Sequence, residues 1–387
     1  MDIIGRQQES VDIMQKEGGL LADRLRAVAA GEMLSRGLRM ILSPAGEQFR
    51  RLRRAAHTHL QARAAKSYVS IQVDATSDVI LDILDDPKGH QAAAKRYAAS
   101  VILRVTYGKT TSTATDAPEI ISIHKMLERF QILIYSILKH IPGYTSYLED
   151  WRKEESRLFH DQLNRVSKQL STGKAGPSFA RYLQSSHKLS DEEMACLAGS
   201  LFGAGSDTTA VAIMVVVMAA ACHPEAQEEL QEELDVVVGR DRVPTFADYD
   251  SLPQIEAFML ECLRWRPVTT LGFPHRALTD IVYKDYCIPK GAIVFGNHWA
   301  ISRDPNVHPN RDKLDPERWL NSEGKIRDDL KFPSFGFGRR TCPGQHIASR
   351  SLFINIALLL WSFDITQDPA NPIDRSGFPF AACLEYY

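Results

Sequence analysis

Phe335-Gly336-Phe337-Gly338-Arg339-Arg340-Thr341-Cys342-Pro343-Gly344 sets one cysteine in a loop of three glycines and a proline. An apolar helical pattern follows, from about His346 to Phe363. Glycine lets backbone approach a bulky group closely and tolerates positive φ. Pro343 fixes the turn and suits a helix start, where its missing N–H is not needed. Backbone N–H groups at a helix N-terminus favour an anion such as a thiolate. Two arginines just before the cysteine are placed to meet carboxylates. A buried structural cysteine in a Gly-rich turn is the bland alternative.

The spacing argues for the functional reading. These parts would present one thiolate to a flat, carboxylate-bearing metal cofactor, and haem iron can be held by a cysteine thiolate. Phe335, Gly338, Arg340, Cys342 and Gly344 fit the haem-binding signature F-x-x-G-x-R-x-C-x-G at every fixed position. The chain therefore resembles the cytochrome P450 family of haem-thiolate monooxygenases, in a style similar to its fungal members.

Working outward, Met194 to Cys222 carries a single charged residue, Asp207. Its length would span a bilayer, but a charge at mid-membrane is expensive. Its centre, Ala204-Gly205-Ser206-Asp207-Thr208-Thr209, resembles the family's A-G-x-D-T-T. The resemblance implies a groove for oxygen beside the small residues and proton delivery by Asp207 and Thr208. A relay of that kind requires hydrogen-bond reach. The alternative is a buried helix with a local Thr back-bond. Gly203-Ala204-Gly205 is a poor dinucleotide fingerprint, because no strand precedes it and the third glycine is missing.

Glu261-Cys262-Leu263-Arg264 puts an acid and a base on one helix face. The spacing also occurs at Glu47 and Arg50, at Glu149 and Arg152, and at Glu154 and Arg157. Context singles out 261–264. Arg266-Pro267 follows it, and Asp315-Pro316-Glu317-Arg318-Trp319 resembles the family's P-E-R-F motif. The resemblance implies a buried triad of Glu261, Arg264 and Arg318, which is a structural lock and not catalytic machinery.

Other positions carry less. Ser43 to Glu47 reads as a turn opening a helix. After it, the family's W-x-x-x-R is matched at Arg53, while Phe49 replaces the Trp and loses its N–H donor. The resemblance implies that Arg53, His275 and Arg340 meet haem propionates. Further arginines at 50, 51 and 54 read as a solvated basic face, or a docking face for an acidic redox partner. Gln61 to about Leu170 reads as mostly helical, with breaks at Tyr107-Gly108-Lys109 and Pro142-Gly143. Val268 to Pro274 would line the substrate cavity. Ile281–Tyr283 and Ala292–Phe295 read as short strands joined by Ile288-Pro289-Lys290-Gly291. Met1 to about Gly37 reads as helical pieces and loop, with Val11 to Lys16 amphipathic. Asp364 to Tyr387 reads as loop.

The 387 residues are 44% hydrophobic and 24% charged, with a formal net charge of -2. This is ordinary globular composition and gives no case for nucleic acid. Six scattered cysteines without a C-x-x-C pair argue against a zinc or redox-pair site and suit a reducing compartment. No signal peptide is visible.

The expectation is one mostly α domain over 1–387 with a small β region and a cytochrome P450-like fold. Cys342 is expected to ligate haem iron, with Phe335, Arg340 and Gly344 framing it. The implied reaction inserts one oxygen atom from O2 into an apolar small molecule, in fungal secondary metabolism or detoxification. Electrons would come from NADPH through cytochrome P450 reductase. Compared with the family, the chain is expected to be truncated, without the N-terminal anchor, Pro-rich hinge and first strands, and with a shortened C-terminal hairpin. Membrane contact, on the cytosolic face of the endoplasmic reticulum, is expected only of a full-length form. The rivals are a haem-thiolate isomerase or dehydratase that needs no reductase, a non-catalytic remnant, and a membrane receptor or channel. The last leaves the cysteine loop unexplained.

Overall fold

A computed structural model describes residues 1–109, 117–135, 146–185 and 189–374. The architecture is mostly helical with a small β region, as expected. The principal elements begin with strand β1 (Asp2–Ile4) and a short helical segment, Ser10–Lys16. Helices follow at α1 (Glu47–Leu60), α2 (Val69–Asp85), α3 (His90–Tyr107), α4 (Pro118–Tyr135), α5 (Ser146–Ser171) and α6 (Phe179–Ser185). Then come α7 (Asp191–Cys222), α8 (Pro224–Val237) and α9 (Pro253–Trp265). Strands β2 (His275–Arg276), β3 (Ile281–Tyr283), β4 (Tyr286–Ile288) and β5 (Ile293–Gly296) precede α10 (Gln345–Ser362). Local chemistry sets several boundaries. Gly108 takes φ +64 just after α3, and Gly239 takes φ +75 after α8, both in the left-handed conformation that ends helices. Pro224 opens α8 at its first turn.

Among the described residues the contacts form two compact units. One holds residues 1–22, 72–94 and 208–374, and the other holds 23–71 and 95–207.

In the first unit, β1 runs parallel to β5, pairing Asp2 with Val294 and Ile4 with Gly296. β2 runs antiparallel to β5, pairing His275 with Val294. Two sequence expectations change here. Residues 2–4, expected as helical pieces and loop, form a strand; three residues are too few to show alternation. The strand before Ile288 also pairs differently. β3 and β4 form their own hairpin, Ile281 opposite Ile288, around a turn with Lys284 at φ 53. The turn at Pro289–Gly291 therefore leads from β4 into a different sheet. Ile4, Ile13, Met14, Leu21, Ile281, Ile288, Val294, Ile301 and Phe337 make one core cluster. Each such side chain contributes about 1.5–3 kcal/mol by burial. Along α10, Leu352 to Leu360 are buried throughout and apolar except for Asn355, whose Nδ2 donates to the Ser351 carbonyl at 2.8 Å.

In the second unit, Ala29, Ala30, Leu34, Phe130 and Leu148 form a core. Beside it Arg39 and Glu155, both buried, pair at 2.7 Å, and the Arg39 guanidinium lies 4.1 Å over the Phe130 ring. Arg51 of the basic run pairs with Glu193.

α7 is long and apolar enough to cross a bilayer by length and composition, and 44% of its most apolar window is buried in the protein. The helix break expected at Pro142-Gly143 lies outside the described residues, as does the chain beyond residue 374.

Candidate active site

The cysteine loop is shaped by its glycines. Gly336 takes φ +82 and Gly338 φ +51, conformations that other residues adopt only with strain. At Gly338 a Cβ would stand 2.8 Å from the Gly18 Cα, so the loop and the N-terminal segment touch backbone to backbone. Gly338 N–H donates to Gln15 Oε1 at 2.8 Å. Phe337 is buried in the core, against Gly296, where a Cβ would come within 2.3 Å of its ring. The Cys342 N–H donates to the Phe335 carbonyl at 2.8 Å, which closes the loop. Gly344 caps α10. The first N–H groups of that helix, which lack partners within it, thus lie just after the cysteine.

Cys342 is exposed, whereas Cys196, Cys222 and Cys262 are buried. Burial pushes the Cys196 thiol up to about 11 and raises that of Cys262 as well, so these two are poor nucleophiles and poor ligands. A Cβ on Gly344 would stand 3.9 Å from the Cys342 sulfur. An exposed cysteine beside the Cβ-free Gly344 suits a loop that presents its sulfur to a flat ring.

Two of the expected propionate contacts converge. His275, buried on β2, bonds the Leu21 carbonyl through Nδ1 at 2.7 Å. Arg340 Nε donates to the next carbonyl, that of Ala22, at 2.7 Å. The Leu21–Ala22 backbone therefore gathers His275 and Arg340 beside the cysteine loop. Because His275 Nδ1 donates to a carbonyl, Nε2 can donate to an anion only when the ring is cationic. Phe335, Arg340, Cys342, Gly344, His275 and Thr208 belong to one compact unit, and Arg53 and Asp207 to the other. Arg53 is half-buried on α1, one turn after the buried Phe49. On α7, Ala204 and Thr208 are both exposed and one turn apart, so they share a face, while Ser206 is buried and bonds the Phe202 carbonyl at 2.7 Å.

The triad of Glu261, Arg264 and Arg318 forms as the motifs imply. Glu261 and Arg264 are fully buried, and Arg264 grips the carboxylate bidentately at 2.7 and 2.8 Å. Arg318 Nε donates to it at 3.2 Å and the Asp315 N–H at 2.9 Å. The remaining Arg264 donors reach the carbonyls of Ser302, Arg311 and Lys313. A fifth bond was not foreseen from sequence: Trp319 Nε1 donates to Glu261 Oε2 at 2.9 Å. The family motif has a phenylalanine there, and the indole in its place was the available signal. Gln15 and Gly18 were missed as well, since nothing local marks residues that act more than 300 positions away.

The fold and loop define a class that solved structures share. A zebra fish cytochrome P450 structure with progesterone aligns with TM-score 0.78 and 25% identity, covering 93% of this chain and 86% of that one. The chain belongs to the cytochrome P450 family. The family model, Cytochrome P450, matches residues 1–381. Among curated relatives from Postia placenta (strain ATCC 44394 / Madison 698-R), cytochrome P450 monooxygenase 113 is 52% identical over 97% of this chain and 78% of its own length. Monooxygenase 64 is 50% identical with the same coverage. The activity is accordingly that of a cytochrome P450 monooxygenase.

Proposed function

We propose that this monooxygenase holds its haem through Cys342 and oxidises an apolar small molecule, in fungal secondary metabolism or detoxification, with electrons from NADPH through a reductase. Residues 1–387 act in this reading as one haem-thiolate domain, working at the cytosolic face of the endoplasmic reticulum membrane. The observation that carries it is the exposed Cys342 beside Gly344, in a loop closed by the Cys342 N–H to Phe335 carbonyl bond. When bound, the haem supplies dioxygen activation, and the protein binds, orients and tunes it.

The chain's own residues divide the rest. The α10 N-terminus and the loop favour the thiolate form of Cys342. Phe335 and Gly344 fix the loop around it. Arg340, Arg53 and a cationic His275 meet the two propionates. Thr208 Oγ1 presents a proton on the open face of α7, and the Asp207 carboxyl replenishes it. Apolar residues between Val268 and Pro274 exclude water around the substrate.

The carbon monoxide difference spectrum of reconstituted protein tests the ligand. Wild type should give the thiolate-type band and Cys342→Ala should lose it. The same band in Cys342→Ala would remove the assignment. Thr208→Ala should keep haem and divert reducing equivalents to peroxide. Unchanged coupling there would remove the proton-delivery role. Turnover without NADPH or oxygen uptake would point to an isomerase or dehydratase instead.

A further inference from the structure

His298 opens a short helix, His298–Ile301, and is buried. Its Nδ1 lies 2.9 Å from the Thr269 carbonyl and 3.3 Å from the Thr269 hydroxyl. A carbonyl oxygen only accepts, so Nδ1 carries the proton. Burial lowers the pKa of the ring to about 4, which keeps it neutral and leaves Nε2 a bare acceptor. Among the described residues Nε2 is buried without a hydrogen-bond partner, and the hydrogen bonds of the ring all go to Thr269. A Cβ on Gly272 would stand 3.5 Å from Nε2 and 3.3 Å from the Gly296 carbonyl, so the ring edge lies against bare loop backbone. The same ring packs against Phe337 of the cysteine loop, with centroids 5.4 Å apart, and edge-on to Phe332 at 6.2 Å. A histidine that served only its own helix would bond within it; this one bonds the loop from Val268 to Pro274. The next residue does the same through its backbone, where Trp299 N–H donates to the Thr270 carbonyl at 3.0 Å. Successive loop carbonyls are thus held from successive positions, one by a side chain and one by backbone. All of these residues belong to one compact unit.

We propose that His298 is a positioning residue that seats the loop from Val268 to Pro274 against Phe337 and so sets which apolar shapes the substrate cavity admits. The proposal rests on the reading of that loop as cavity lining. Lining side chains discriminate by contact, and one methylene more or less is worth about tenfold or more. Releasing the Thr269 carbonyl lets the lining drift, which weakens shape discrimination while the haem site stays intact. Space-filling alone predicts otherwise, because a leucine would then serve as well as the imidazole.

The test is spectral titration of the haem-loaded protein with two azoles, imidazole and 4-phenylimidazole. Both bind iron through nitrogen, and only the second carries an apolar ring into the cavity, so the ratio of their dissociation constants reads the lining alone. In His298→Leu the advantage of 4-phenylimidazole should fall about tenfold, with imidazole affinity and the thiolate-type carbon monoxide band unchanged. His298→Asn should recover it, because the asparagine Nδ2 lies as many bonds from Cα as the histidine Nδ1 and can donate to the Thr269 carbonyl. An unmoved advantage in His298→Leu overturns the proposal. So does a loss in His298→Asn equal to that in His298→Leu. If His298→Leu loses the band, His298→Gln, whose amide sits one carbon further out, takes its place, and equal ratios in His298→Gln and His298→Asn overturn the proposal. Val268→Phe separates the two readings. An unmoved ratio there removes the lining reading and this proposal with it. A moved ratio there, with an unmoved one in His298→Leu, overturns this proposal alone.

Discussion

Cys342 is exposed in a loop closed by backbone bonds and Cβ-free approaches, whereas Glu261 is enclosed by five donors and has no exposed surface. Both sites follow an arginine-bearing motif and both belong to the same compact unit. They differ in how their hydrogen-bonding capacity is used. At Glu261 every lone-pair direction is met by a donor, so the carboxylate is stable and has nothing left to react with. At Cys342 the backbone N–H closes the loop while the residue itself is exposed. A satisfied buried charge locks a fold; an exposed cysteine on a braced loop can do chemistry.

Removing the lock should have the largest effect. Glu261→Gln removes the charge and leaves Arg264 buried without its counterion. Breaking a buried pair by removing one partner costs about 3–5 kcal/mol, a large share of the stability of an ordinary domain. Urea denaturation of purified protein should show that loss, and a midpoint within error of wild type would show that the lock does not hold the fold. Acid attacks the same place more gently. Neither ring nitrogen of buried His308 has a hydrogen-bond partner among the described residues, and its ring lies 6.3 Å from Trp319. Burial, with Arg264 and Arg318 nearby, lowers its pKa to about 3 from 6.5. A group depressed in the folded state stabilises it above the unfolded value, and that stability is lost as pH falls from about 6.5 towards about 3. The loss at about pH 4.5 should be on the order of 2 kcal/mol after solvent screening. His308→Gln should flatten this part of the stability–pH curve, and an identical curve would remove His308 as its source.

The difference between the sites also explains what sequence could reveal. The chemistry of the cysteine loop is contiguous from Phe335 to Gly344, so motif and geometry coincide. Glu261 and Arg264 lie one helical turn apart, and a second motif supplied Arg318. The braces are another matter. Gln15 and Gly18 act by touching Gly338, and chain folding alone creates that neighbourhood. β1 is too short to announce itself and exists because β5 offers an edge. Arg53 and His275 carry their proposed roles only through family resemblance, because neither is marked by local pattern.

Gly338→Ala probes the open site in the way Glu261→Gln probes the closed one. A side chain at φ +51 is strained by about 1–3 kcal/mol, and its Cβ would meet Gly18 backbone that has no flexible end to yield. The loop should shift and haem content should fall, while the helical circular dichroism stays. Full haem occupancy with a normal carbon monoxide band would mean that the loop tolerates a side chain there.

Trp319→Phe asks whether the fifth donor to Glu261 matters or is redundant with the four others. It restores the aromatic residue of the family motif and removes one N–H from a buried carboxylate. Hydrogen bonds to charged groups contribute about 1.5 kcal/mol or somewhat more, less than the loss of the charge itself. The Trp319 ring is buried, so the smaller phenylalanine also leaves unfilled volume. Trp319→His keeps a ring donor at reduced size and separates the two terms. If the N–H is what counts, histidine should recover stability that phenylalanine loses; if packing is what counts, both should lose alike. A Trp319→Phe protein as stable as wild type would show that four donors already saturate Glu261. The lock would then be complete without the indole.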